Sequence, residues 1–213
     1  MGGVYNVIKL NKITLRIFMK KILLPLIALT LTSSVMANEL AGVFAGATIG
    51  GGSGSVSISS DTGTYTFIDG KDGVSTNDFK IYGGYNNLYL YYQGGTISPD
   101  TQYLDDLTYT SFGAGFLAQA KSWEQKLGVV SIMPEGDFEI GVDSVTGNGF
   151  DATGLLISLD AGVAVGFTDL PYLSLTAGVG YDIHVVNDST STAREGSWNF
   201  TSLNANIGAR VKF

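Results

Sequence analysis

The chain has 213 residues and no cysteine. That excludes disulfides, thiolate nucleophiles and cysteine-ligated metal centres. Histidine occurs once, at His184, and neither a phosphate loop nor an HExxH pair is present. The run Gly50-Gly51-Gly52-Ser53-Gly54 lies in strand-like sequence, where glycine serves close packing and not nucleotide binding. Charge is scarce: 15% of residues are Asp, Glu, Lys or Arg, against about 25% in typical soluble chains. Long apolar runs are missing too. The run Ile22 to Leu31 spans about ten residues where a membrane helix needs roughly 20, so a helical membrane protein is excluded.

That run has another meaning. Lys20 and Lys21 precede it, Ser33 and Ser34 follow, and Val35-Met36-Ala37 ends it. A positive region, an apolar region and small residues, in that order, make a secretory signal with cleavage expected after Ala37. Met19 stands directly before the lysines, so residues 1–18 read as an upstream extension, 19–37 as the signal peptide and 38–213 as the mature domain. All 19 acids but only seven of the 12 bases lie beyond Ala37, a balance of −12. So acidic a chain is a poor nucleic-acid partner.

What the mature region has is alternation. Leu203, Ala205, Ile207, Ala209, Val211 and Phe213 are apolar, while Asn204, Asn206, Gly208, Arg210 and Lys212 between them are polar or glycine. Side chains on a strand point to opposite faces in turn, so this is a strand with one apolar and one wet face. Seven further segments alternate similarly, at 40–58, 78–86, 87–96, 107–118, 123–133, 152–166 and 172–186. Their connections alternate in length: Asn86-Asn87, 119–122 and 168–171 are short, while 59–77, 97–106, 135–151 and 187–197 are long. About 176 mature residues suit eight strands of roughly ten residues. The expected fold is an all-β, eight-stranded, antiparallel up-and-down transmembrane barrel, its short turns periplasmic and its long loops outside.

The fifth strand is placed at Trp123, Leu127, Val129 and Met133. Pro134 sits badly in a ladder, and Phe138, Ile140 and Val142 beyond it are assigned to an extension above the membrane or to the third loop. Trp198 and Phe200 fall out of phase with the last strand, so a bulge or loop is expected there.

Strand phase points Lys80, Glu124, Lys126, Asp160, Asp182 and Arg210 inward, with His184 beside Asp182. An eight-stranded lumen is just wide enough for side chains to fill it, and buried charges must pair or be hydrated. A salt-bridged plug centred on Lys80, Asp160 and Arg210 is the main expectation, and a narrow cation-favouring channel the alternative. Catalysis would need Asp182 and His184 with Ser189 or Ser191, but serine crowds every loop, so no enzyme, cofactor or metal site is assigned. The acids Asp61, Asp69, Asp72, Asp100, Asp105, Asp106, Glu135, Asp137, Glu139, Asp143 and Asp151 are read as loop residues. They would form a solvated face, or recruit divalent cations beside lipopolysaccharide, or meet a basic host surface.

Residues 38–213 resemble the small outer-membrane β-barrel superfamily that includes the OmpA/OmpX-type and Opa-like proteins. The strand pattern, the glycine-aromatic strand Phe79-Lys80-Ile81-Tyr82-Gly83-Gly84-Tyr85 and the terminal Phe213 carry the resemblance. It implies a monomer in the outer membrane of a Gram-negative envelope, surrounded by lipid and lipopolysaccharide. It also implies that the C-terminal strand, with Phe213 as its signal, is read by the barrel-assembly machinery. Such proteins serve structural, adhesive or narrow-channel roles, and some small barrels modify lipid A. The sequence His184-Val185-Val186-Asn187 does not match the His-x-Ser arrangement of the lipid A deacylases. A soluble β-sandwich or lipocalin-like secreted binder is the competing fold.

Overall fold

A computed structural model describes residues 42–60, 63–67, 73–99, 105–147, 149–188 and 196–213. The extension, the signal segment and Ala37 lie outside the described residues. The elements are β1 (Val43–Ser60), β2 (Gly63–Phe67), β3 (Val74–Tyr85), β4 (Leu88–Pro99), β5 (Leu107–Gln119), β6 (Gln125–Leu127), β7 (Val130–Gly147), β8 (Phe150–Phe167), β9 (Leu170–Asp188) and β10 (Gly196–Lys212). Eight long strands pair antiparallel in chain order, and β10 pairs back onto β1 to close the barrel. The short β2 pairs with the end of β1, and the short β6 with the start of β7. Following the register once round from Leu88, through Phe116, Phe138, Leu159, Tyr181, Leu203, Ser53 and Ser75, returns to β4 at Ser98, ten residues further along. That stagger requires strongly tilted strands.

Both chain ends of the barrel lie at one end, where Phe44 faces Lys212 and the Phe213 amide donates to the Val43 carbonyl at 2.8 Å. Asn86-Asn87 joins β3 to β4 there, with Asn86 in the left-handed region at φ 56°, and Thr168-Asp169 joins β8 to β9. This is the turn end; the opposite one is the loop end.

The outward residues form an apolar belt. Ile49, Phe79, Ile81, Leu90, Tyr92, Phe112, Ile140, Val142, Leu155, Val179, Leu203 and Ile207 are all exposed. The inward phase at the same height holds the buried polar residues, among them Lys80, Gln93, Glu139, Ser158, Asp182, Asn204 and Arg210, beside a small apolar cluster. Apolar outside and polar inside is the reverse of a soluble barrel, and only lipid solvates such an exterior. The molecule is a transmembrane β-barrel. No helix among the described residues is long and apolar enough to cross a membrane.

Toward the loop end both faces invert without any change of phase. The outward positions become Ser53, Ser55 and Ser57 on β1, Ser75 and Asn77 on β3, Thr96 and Ser98 on β4, Thr108 and Thr110 on β5, Ser144 and Thr146 on β7, and Asn199 and Thr201 on β10. The inward positions become apolar. Trp198 and Phe200 are therefore not in a bulge or loop: they continue the inward phase of Ser202 and Asn204 in unbroken register with Val186 and His184. They look out of phase only because the wall changes solvent, from lipid below to water above.

The fifth strand is also corrected. The barrel wall runs through β7, with Phe138, Ile140 and Val142 on the lipid side. Residues 135–147 are wall and not loop, and Gly147 pairs with Phe150 of β8. Pro134 is accommodated because the β5 ladder reaches only to Glu135, opposite Gln119, while β6 begins to pair at Ile132. On its β5 side the Pro134 carbonyl still accepts from the Ala120 amide at 2.9 Å, so only the donor of one terminal rung is lost.

The inversion predicts opposite tolerance on one strand. Ile207→Arg, in the belt, should destabilise the barrel by about 2–4 kcal/mol, and Asn199→Arg, in the collar, by about 1 kcal/mol or less. Denaturant titration in lipid vesicles measures both; equal costs would contradict the boundary.

Candidate functional site

The interior contains two apolar clusters and a polar network. At the loop end Val56, Val74, Ile97, Leu107, Tyr109, Val145, Phe150, Ala152, Val186, Trp198 and Phe200 pack together, none more than 3% exposed. Trp198 stacks on Phe200 with ring centroids 6.2 Å apart, and Phe150 meets Trp198 edge-on at 5.0 Å. These eleven residues, drawn from all eight wall strands, fill the lumen like a soluble barrel core. Nearer the turn end Phe44, Tyr89, Tyr91, Leu117 and Leu156 form a second cluster, with Tyr82 against it. Two of the tyrosines fit because glycine faces them: a Cβ on Gly46 would strike the Tyr82 ring and one on Gly115 the Tyr89 ring.

The charged residues lie between and below these clusters. Lys80 Nζ donates to Glu139 Oε1 at 2.6 Å, and the Tyr89 hydroxyl donates to the same oxygen at 2.5 Å. Asp160 is 4.0 Å from Lys80. Its firmer contact is Asn206 Nδ2, which donates to Asp160 Oδ1 at 2.6 Å. Asp160 also lies directly opposite Asp137 across the β7–β8 register. Asp182 accepts from the Ser158 hydroxyl and from Asn204 Nδ2, each at 2.5 Å, and Thr76 donates to Asn204 at 2.8 Å. Arg210 Nη2 donates to Glu135 Oε2 at 2.5 Å, an oxygen that also accepts from Gln119 at 2.9 Å. His184 Nδ1 is 2.7 Å from Asp143 Oδ2, and the His184 ring meets Tyr109 edge-on at 4.7 Å.

Of the residues singled out from sequence, Lys80, Asp160, Asp182, His184 and Arg210 are inside. Glu124 and Lys126 are not part of the buried network. They lie on the connection at the turn end, 4.0 Å apart, with the Lys126 side chain exposed. Assigning the fifth strand to 123–133 turned them inward, and moving the wall to β7 replaces them. Glu135, Asp137, Glu139 and Asp143, read as loop acids, come inside instead; Glu139 and Asp143 are 0% exposed. Asp78 also faces the lumen, as its even phase on β3 already implied. His184 pairs with Asp143 and not with Asp182. Lys80 and Arg210 bond to Glu139 and Glu135, so Asp160 is not the hub. Asp105, Asp106 and Asp151 are exposed at the loop end. The remaining loop acids, with Ser189 and Ser191, lie outside the described residues.

Among the described residues, seven inward carboxylates (Asp78, Glu135, Asp137, Glu139, Asp143, Asp160 and Asp182) thus face two permanent cations, Lys80 and Arg210, and one histidine. Four carboxylate oxygens, one each on Asp78, Asp137, Glu139 and Asp143, are buried without a protein partner. Small cavities of about 30 and 10 Å³ adjoin Lys80 and Asp160, room for single waters. Below Arg210 the lumen widens into a turn-end vestibule of about 460 Å³. No group of acids and histidine among the described residues is arranged to hold a metal ion.

No family model and no curated protein matches the chain. Among solved structures it is similar to Neisserial surface protein A (NspA), at 18% identity and a TM-score of 0.42 over 81% of this chain and 98% of that one. It is also similar to the outer membrane enzyme PagL, at 12% identity and a TM-score of 0.38, over 75% of this chain and 97% of that one. A third is Ail, the attachment invasion locus protein of Yersinia pestis, at 15% identity and a TM-score of 0.28, over 77% and 98%.

Carboxylate excess makes the ammonium the irreplaceable member of the cluster. Lys80→Met should cost about 3–5 kcal/mol of unfolding free energy, because it leaves Glu139, Asp137 and Asp160 without a counter-charge. Asp160→Asn, which removes one of two opposed acids, should cost about 1 kcal/mol or less. Unfolding titrations of the two variants decide it; a larger loss for Asp160→Asn would overturn the assignment.

Proposed function

We propose that the chain is a closed, monomeric outer-membrane barrel that serves envelope integrity or surface contact and performs no catalysis. The loop-end apolar cluster is the observation that carries this reading. An ion entering from that end would have to shed its water among Trp198, Phe200, Phe150 and their neighbours, an apolar medium that stabilises no charge. With the loop end outside and the turn end in the periplasm, the acidic exterior at Asp105, Asp106 and Asp151 faces the medium. It is the surface offered to a basic host molecule or to divalent cations between lipopolysaccharides. The belt meets lipid and lipopolysaccharide, and the β10 strand with exposed Phe213 is presented to the assembly machinery.

Against catalysis stands the position of His184. It is buried beneath the apolar cluster and held by Asp143, out of reach of a lipid or peptide at the rim. A His–carboxylate pair in a polar lumen is a structural pair unless substrate can reach it. The second reading, a narrow cation-favouring channel, draws on the carboxylate excess, since an acid-lined path would select cations.

Planar-bilayer recording separates the two. The wild type should show no steady conductance; Trp198→Ala/Phe200→Ala, which removes the loop-end seal but leaves the cluster of Phe44, Tyr89, Tyr91, Leu117 and Leu156, should leak more than the wild type and with cation preference, because the acids remain. Steady wild-type conductance equal to that of the double variant would reject the closed-barrel reading.

A further inference from the structure

We propose that the hairpin from Lys121 to Val129 is a foot that docks on anionic phospholipid at the turn end of the barrel; this rests on the transmembrane-barrel reading. The two other turn-end connections have two residues each, whereas ten separate β5 from β7. The excess has a structural cause. The β5–β7 ladder stops at Gln119 and Glu135, yet β7 continues to Val130 alongside β8. Its other edge would be bare backbone at the membrane boundary, a costly state. The chain leaves β5 through a single 3-10 turn at Lys121–Trp123 and returns as β6, which pairs Gln125, Lys126 and Leu127 with Ile132, Ser131 and Val130. Gly128 makes the reversal in the left-handed region, at φ 65°.

Only Gln125–Leu127 of the hairpin is strand, between the 3-10 turn and the reversal at Gly128. Glu124, Lys126 and Gly128 line the vestibule. Trp123 at the end of the 3-10 turn, Leu127 in β6 and Val129 in the reversal are 63%, 59% and 65% exposed. They prolong the apolar belt of β7 and β8 below the level at which β4 and β5 end. Tryptophan with aliphatic neighbours suits the glycerol level of a bilayer.

Charge selects the kind of lipid. Of the five described bases, Lys80 and Arg210 are interior, and Lys121, Lys126 and Lys212 are at the turn end. The acids described at that end are Glu124 and Asp169, and no base is described on the loop-end exterior, where Asp105, Asp106 and Asp151 lie. Lys121 and Lys126 flank Trp123 and are both exposed. A basic margin around an inserted aromatic attracts anionic headgroups over zwitterionic ones.

The protein supplies its own reporter. It has two tryptophans, and Trp198 is buried with its indole N–H unpartnered, so Trp198→Phe loses no hydrogen bond and leaves Trp123 alone. This variant is reconstituted in vesicles of phosphatidylglycerol and phosphatidylcholine, with bromine on one lipid or the other, after heat-modifiable gel mobility has verified the folded barrel. Trp123 emission should be quenched several-fold more by brominated phosphatidylglycerol. The preference should vanish in high salt and in Lys121→Gln/Lys126→Gln, with quenching itself retained. Equal quenching by both lipids would overturn the anionic preference. A folded barrel whose Trp123 is quenched by aqueous iodide and by neither lipid would overturn the foot. Absence of heat-modifiable mobility in the wild type would reject the barrel reading, and the proposal with it.

Discussion

Lipid offers no hydrogen bonds to a backbone, so a sheet inside it cannot have an edge. The pairing of β1 with β10, sixteen residue pairs from Phe44↔Lys212 to Ser59↔Ser197, meets that demand. Everything else in the molecule depends on it. Eight strands closed with a ten-residue stagger enclose a lumen narrow enough for side chains to span, so inward residues must pack with one another. The outward residues must match whatever surrounds the barrel at their height. The same strands cross from lipid into water, and both faces therefore change character along their length. Below, the exterior is apolar and the interior polar; above, the exterior is hydroxyl and amide and the interior is a packed apolar core.

The upper core and the lower network stabilise the barrel by different means. The upper one uses burial and aromatic contacts, as a soluble domain does. The lower one is electrostatically unbalanced, with carboxylates outnumbering the cations among them. Glu139 is held by Lys80 and Tyr89, Asp182 by Ser158 and Asn204, and Glu135 by Arg210 and Gln119. Each acid is thus met by neutral donors as much as by charge, which limits the desolvation cost of keeping it inside. Two of the unpartnered oxygens belong to Asp78 and Asp137, which line the small cavities beside Lys80 that have room for water.

Much of this was legible from alternation alone. The belt residues of β8, β9 and β10, the turns at Asn86-Asn87 and 168–171, and the inward phase of Lys80, Asp182 and Arg210 follow from a period of two. Three features were not, each for a physical reason. In the upper part of β7 Phe138, Ile140 and Val142 face lipid, and they alternate with Asp137, Glu139 and Asp143, so the richest acid segment of the wall reads as a loop. Trp123, Leu127 and Val129 show a membrane-strand pattern in sequence, yet they come from a 3-10 turn, the short β6 and a reversal, whose exposed apolar residues fall at odd positions without a continuous strand. Trp198 and Phe200 break the apolar-out rule because that rule applies only within the lipid. The pairing of His184 with Asp143 could have been found once β7 was in register; nothing local to His184 points to a partner 41 residues away.

The central claim is that one continuous strand passes from lipid-facing to water-facing while its inner face turns from wet to dry. The absence of native cysteine permits the direct measurement: single cysteines placed one at a time from 197 to 211 on β10, spin-labelled in vesicles, with oxygen and a water-soluble paramagnet as relaxants. The account predicts oxygen access at 203, 205, 207 and 209, access of the water-soluble agent at 197, 199 and 201, and little of either at 198 and 200. Oxygen access that persists unchanged through 201, 199 and 197, or water-soluble access at 198 and 200, would contradict it.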